Sequence, residues 1–193
     1  MLPYAGMNDH VLFDWESYNP QDRAVLCFLR NDTELLLIHK KRGLGAGKIN
    51  GPGGKQDPGE TLQEAAIRET REETGLEPTA PRHQGVLRFA FADGYQLEVH
   101  IFLADRWSGE MRETDEATPF WTRQEEIPYD RMWEDDRYWL PRVLLGHTVE
   151  AEMLFEDDRM IFWDLRFSDG IRFRGTAGES ANSPALHQPS ARG

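Results

Sequence analysis

Apolar residues along this chain fall into short runs with two different periods. Ala24–Leu29 (AVLCFL) and Glu34–His39 (ELLLIH) are near-continuous apolar runs either side of Asn31–Asp32, which predicts a hairpin. Val86–Ala92 (VLRFAFA) and Tyr95–Ala104 (YQLEVHIFLA) alternate around Asp93–Gly94 and predict a second. Phe120–Thr122 reads as a short strand, and Val149–Phe155 with Met160–Phe167 as a terminal hairpin across 156–158. Helical signals occur twice. Thr61 followed by Glu64 is a capping box and Gly75 a left-handed stop, so a helix is predicted over 62–74. In MWEDDRYWLPRVLLG (132–146), Tyr138, Trp139, Val143 and Leu144 recur at helical spacing, with Gly146 as the stop and Pro141 disturbing the opening turns. Strands alternating with two helices predict an α/β sandwich, a mixed sheet between helical layers.

The ends read differently. Residues 1–22 are mixed polar and aromatic, an extension that either lies on the domain surface or adds Val11–Trp15 as an edge strand. Residues 23–172 form the expected domain. Residues 173–193, ending in GTAGESANSPALHQPSARG, are expected to be a disordered tail.

Composition narrows the function. A chain of 193 residues predicts one domain with short appendages. The net charge of −12 argues against a surface for nucleic-acid polymers, though not against a small nucleotide arriving with its own cation. Cys27 is the only cysteine and lies in an apolar run, so it predicts a buried structural thiol and no internal disulfide. No apolar stretch is long enough to span a membrane, and the N-terminus lacks a basic region followed by an apolar one. A soluble cytoplasmic protein is expected. Oligomeric state is not readable.

Against the acidic background, residues 35–56 contain no acid but hold Lys40, Lys41, Arg42, Lys48 and Lys55, a local positive field suited to phosphate. Six of the 17 glycines lie between Gly43 and Gly54, where backbone amides can approach a ligand. Neither a P-loop nor a dinucleotide fingerprint is present. On the first helix, at about 100° per residue, Glu69, Glu72 and Glu73 fall in one arc on the side of Leu62, Ala65 and Ala66. Three crowded carboxylates raise one another's pKa unless a cation neutralises them. Oxygen-only ligands suit a hard ion, and Mg2+ favours carboxylates plus substrate phosphates. The competing reading is a solvated, salt-bridged helix with Arg68–Glu72 as an i,i+4 pair; the attached glycine turn favours metal.

Gly54, Glu60, Arg68, Glu69, Glu72, Glu73 and Gly75 stand at the spacing Gly-x5-Glu-x7-Arg-Glu-x-x-Glu-Glu-x-Gly, followed by Leu76, which resembles the signature box of the Nudix hydrolases. One position departs: Thr70 replaces a larger aliphatic. The resemblance implies the Nudix fold, an α/β/α sandwich with a mixed β-sheet. It also implies Mg2+ (or Mn2+) held by Glu69, Glu72, Glu73 and the Gly53 carbonyl, with Glu60 and Arg68 orienting the acids. Glu73 and Glu116 are both candidates for the base, and Glu116 is a further candidate metal ligand. Lys55 and the Lys40–Lys48 region are expected to assist electrostatically.

The flanks KKRGLGAGKINGPGGK (40–55) and MWEDDRYWLP (132–141) resemble those of animal-type 8-oxo-dGTP diphosphatases, over about residues 24–167. By that resemblance, Asn50, Asp135 and Asp136 hydrogen-bond a purine base, Trp133 stacks on it, Phe89 lies on or near the other face and Lys40 closes the pocket. Leu44 and Pro52 stand where aromatics are usual in that subfamily. A guanine edge offers donors that adjacent carboxylates accept, and two neighbouring acids can share one proton. The competing reading has Asp135 or Asp136 capping the second helix and Trp133 filling core. The implied partner is a small-molecule nucleotide and the implied products a nucleoside monophosphate and pyrophosphate. Rival substrates are 2-hydroxy-dATP, methylated purine triphosphates and nucleotide sugars; a non-catalytic nucleotide sensor is the rival outside enzymes.

Overall fold

The continuous apolar run at 24–29 is buried on both faces, and that fact sets the architecture. In the computed structural model, which describes residues 13–177, β1 (Asp22–Leu29) sends Ala24, Leu26 and Phe28 into one core and Val25, Cys27 and Leu29 into another. A strand covered on both sides needs no polar face. It pairs in parallel with β7 (Gln96–Ala104) and antiparallel with β4 (Gly53–Lys55). Beyond β7 lie β6 (Arg82–Phe91), β10 (Val149–Glu156), β11 (Arg159–Phe167) and β12 (Arg172–Thr176). Together they form a seven-stranded mixed sheet in the order β12-β11-β10-β6-β7-β1-β4. A second sheet has the order β3-β2-β9, with β2 (Glu34–Lys40), β3 (Ile49–Asn50) and β9 (Ala117–Arg123). Two short strands, β5 (Leu76–Pro78) and β8 (Trp107–Gly109), pair beside the first helix.

Helix α1 (Leu62–Thr74) covers one face of the large sheet, burying Ala65 and Ala66 against Val25, Cys27, Leu29 and Phe102. Both halves of its capping box form, and Gly75 closes it at φ 78° with its N–H donating to Arg71 O. Thr70 sits fully buried on this helix, where its hydroxyl donates to Ala66 O at 2.7 Å, so the polar replacement is satisfied within the helix. Cys27 is buried beside it, and burial pushes its thiol up to about 12, the signature of a structural thiol. Helix α2 (Asp136–Leu144) lies on the opposite face, with Trp139, Leu140 and Val143 buried among Phe28, Leu35 and Leu37. The predicted α/β/α sandwich with a mixed sheet is what forms.

Two expectations need correction, and one open alternative is narrowed. β1 and β2 do not form a hairpin ladder: only Arg30 and Leu35 bridge before the strands part into different sheets, each strand buried on both faces. The sheet continues past residue 172, since β12 pairs with β11 and seats Phe173 against Phe167 at 5.6 Å. Residues 178–193, the rest of the expected tail, lie outside the described residues, as do 1–12. Within Val11–Trp15 the described residues make no strand; Phe13 and Trp15 pack instead against Ala90, Leu154 and Phe162, on sheet surface that α1 leaves uncovered.

Candidate active site

Two glycines bring β4 close enough to build a site. A Cβ at Gly53 would lie 2.0 Å from Val25 O, so only glycine lets β4 pair here. A Cβ at Gly54 would lie 2.4 Å from the Glu69 carboxylate, so this glycine leaves room for the acid to lie on the strand. The cavity beside them has a volume of about 430 Å³. Lys40, Asn50, Gly53, Lys55, Glu69, Phe89, Glu116, Trp133, Asp135 and Asp136 all line it.

The acids are not equivalent. Glu73 has no exposed side-chain surface; Gly53 N–H donates to its Oε2 at 2.8 Å and Lys40 Nζ to its Oε1 at 2.9 Å. Burial raises its pKa, and Lys40 and then the Gly53 amide pull it back. Glu69 is likewise raised by burial, with Arg68 opposing. Glu72 is half exposed, at the solvent end of the arc, so the expectation that all three acids lie on the packed face holds only for Glu69 and Glu73. Arg68 ties the helix acids together. It donates Nε to Glu60 Oε2 at 3.0 Å and Nη1 to Glu69 at 2.8 Å and Glu72 at 3.2 Å. The Arg68 hydrogen bonds lower the Glu60 pKa below the usual carboxylate range. Glu116 is ion-paired with Arg42.

A hard cation fits these residues by donor chemistry: every candidate is an oxygen, and Lys40 Nζ already places positive charge 3.3 Å from Gly53 O and beside Glu73. Among the described residues no three acidic, histidine or cysteine side chains are yet gathered as a metal cluster. Lys40, Arg68 and Arg42 each pair with a carboxylate that the resemblance places on the ion. Lys40 therefore lines the cavity with its charge committed to Glu73. Lys55 pairs with Asp22 at 2.7 Å and lies over the Tyr95 ring.

Asp135 and Asp136 sit side by side, each 2% exposed. Asp135 Oδ2 accepts from Trp139 Nε1 at 2.9 Å, while its Oδ1 is buried with no hydrogen-bond partner. Asp136 Oδ2 accepts from the Trp133 amide at 3.1 Å, so it also secures the start of α2. Burial pushes the Asp135 carboxyl up to about 6; burial, then the Asp135 charge, raise Asp136 well above the usual range. Trp133 is half-buried, edge-on to Phe155 at 5.9 Å and with Lys48 Nζ 4.9 Å from its ring. Asn50 Oδ1 accepts from the Gly51 amide.

A NUDIX domain model matches residues 20–143, which is well over half of the chain. The chain belongs to the Nudix family. An oxidized purine nucleoside triphosphate hydrolase from Danio rerio is 47% identical over 111 residues, 57% of this chain and 71% of that protein. One from Mus musculus is 39% identical over 149 residues, 76% of this chain and 96% of that protein. A MutT protein from Bacillus halodurans has the same fold, with a TM-score of 0.69 and 24% identity, covering 78% of this chain and 99% of that one. This Nudix chain thus resembles the animal-type oxidised-purine hydrolases, as its flanking segments implied. It is a Nudix hydrolase, a family whose members use divalent metal ions on small nucleotide substrates.

The sequence reading missed part of this Nudix cavity's wall. Tyr95, Leu97, Phe155 and Trp139 also line it. Trp139 was recoverable, standing one helical turn after Asp135; Phe155 was not, because its place depends on β10 pairing with β6.

Proposed function

We propose that the chain hydrolyses oxidised purine nucleoside triphosphates of the 8-oxo-dGTP type to nucleoside monophosphate and pyrophosphate, with Mg2+. The observation that carries this reading is the buried carboxyl pair, in which Asp135 keeps one oxygen unpartnered beside Asp136 in the cavity. An unsatisfied buried acceptor is costly unless a ligand completes it. Two adjacent acids sharing a proton offer one acceptor and one donor, a match for a purine edge altered by oxidation. Oxidation at C8 turns N7 from acceptor to donor and adds a carbonyl. The names of the animal relatives favour the same substrate class.

The polyphosphate would lie toward Gly53, Glu69 and Glu116. Glu69, Glu73 and the Gly53 carbonyl would hold the ion, with Glu72 and Glu116 as further ligands once Arg68 and Arg42 release them. When bound, Mg2+ neutralises the charge building on the leaving pyrophosphate and acidifies water. Arg68 keeps Glu60, Glu69 and Glu72 in register. Glu116 lines the cavity whereas Glu73 is sealed, which favours Glu116 as the acceptor of the water proton. Asn50 and Trp133 would position the base, Trp133 by stacking on the ring with Phe89 on or near its other face. Lys55 would counter phosphate charge.

A pyrophosphate-release screen over modified and ordinary triphosphates with Mg2+ tests the reading. It expects kcat/KM for 8-oxo-dGTP to exceed that for dGTP by at least about tenfold, the scale of one buried hydrogen bond made or lost. Equal rates contradict it, and tight binding without pyrophosphate release indicates a sensor.

A further inference from the structure

Lys40 ends β2, and its ammonium lies between two oxygens from different elements: Glu73 Oε1 of α1 at 2.9 Å and the Gly53 carbonyl of β4 at 3.3 Å. Those oxygens are two of the ligands assigned above to the divalent ion. The lysine is itself largely covered, with 16% of its side chain exposed, and Glu73 has none exposed. The neighbouring Glu116 charge disfavours an ionised Glu73 further. A buried carboxylate in that setting is strongly penalised unless a cation meets it. A lysine ammonium and a divalent ion cannot both occupy the few ångströms between the same two oxygens, since their like charges repel in a poorly screened site.

We propose that Lys40 is a tethered counter-ion for the metal position. It competes with the divalent ion for Glu73 and Gly53 O, and ion entry frees its ammonium into the nucleotide cavity it already lines. The inference rests on the metal assignment under the proposed function and goes beyond it. Metal affinity is held down by the work of displacing Lys40, and a displaced lysine becomes available to phosphate only when the ion is in place. The four-carbon stem gives the ammonium this mobility, which a rigid guanidinium fork lacks.

Mn2+ alone, without nucleotide, tests the proposal in the full chain. Free Mn2+ is titrated by electron paramagnetic resonance at pH 8, and thermal unfolding is followed with and without saturating Mn2+. Lys40→Met is expected to bind Mn2+ about tenfold more tightly than the wild type, a difference of about 1.4 kcal/mol. Its unfolding temperature should fall without metal and recover to the wild-type value at saturating Mn2+. Lys40→Gln, which keeps a polar donor, provides the same comparison if the methionine variant does not fold. Unchanged or weaker Mn2+ binding in the variants, with a thermal deficit that persists in metal, overturns the counter-ion role and leaves an ordinary ion pair. Failure of the wild type itself to bind Mn2+ overturns the metal assignment, a distinct result.

Discussion

Asp136 is held in a place that penalises its own charge. Burial and the adjacent Asp135 raise its pKa, so the folded chain keeps a proton that the unfolded chain releases near pH 4. Between those two values the native state binds more protons, and stability falls as pH rises. Asp136→Asn retains a side-chain oxygen for the Trp133 amide but removes the charge. It is predicted to unfold several degrees above the wild type at pH 8 and to show no gain at pH 4, by thermal denaturation at each pH. An equal gain at both values would contradict the buried-charge account. The two neighbouring glycines separate stability from chemistry in the same way. A methyl at residue 53 meets backbone, Val25 O, whereas at residue 54 its nearest neighbours are the side-chain carboxylate atoms of Glu69. Gly53→Ala should therefore cost several kcal/mol of stability, the scale of an unrelieved core clash. Gly54→Ala should leave the unfolding temperature nearly unchanged and lower kcat about 100-fold, because the acid is displaced by about 1 Å or more. Denaturation and turnover measured on both variants decide it. At this scale the sequence was informative wherever a residue's partner is local: Thr61–Glu64, Gly75 and Arg68–Glu72 all form as their spacing implies. It was silent on Lys40–Glu73 and Arg42–Glu116, which join residues 33 and 74 positions apart.

Elements were legible from their periods and illegible in their pairings. The helix over 62–74 carries both of its end signals and forms over those residues. The runs at 24–29 and 34–39 predict a hairpin because they are adjacent strands with a turn between them. Burial on both faces of each admits another arrangement, and β1 joins β7 and β4 while β2 joins β3 and β9. The expected domain stops short because the segment 172–176 is brief and carries two arginines and a glycine, yet Phe173 and the pairing with β11 are enough to order it. The N-terminal segment gains a role that composition did not reveal. Trp15 covers Phe162 at 6.3 Å between ring centroids, where sheet would otherwise face water. Trp15→Ala is predicted to cost about 1–2 kcal/mol, from roughly half the burial of a large side chain. That corresponds to about 2–8 °C in a chain of this size. Pyrophosphate release at 25 °C should be unaffected, and a loss of turnover would place this segment in the site instead.

In the whole molecule, distant stretches meet around one cavity. The basic, acid-free segment of an otherwise strongly acidic chain supplies Lys40, Asn50, Gly53 and Lys55; α1 supplies Glu69; and the start of α2 supplies Trp133, Asp135 and Asp136. The mixed sheet makes this possible, since β4 carries Gly53 and Lys55 across β1 from β7 and β6, which carry Phe89, Leu97 and Val99. No helix among the described residues is long and apolar enough to cross a membrane. The central claim joins the carboxyl pair to the choice of substrate, and one comparison addresses it most directly: kcat/KM for 8-oxo-dGTP and for dGTP, with Mg2+, in the wild type and in Asp135→Ala. The account predicts a clear lead for the oxidised nucleotide that collapses toward unity in the variant, while turnover of dGTP survives. A variant that loses both substrates in equal proportion, or keeps the lead intact, would contradict it.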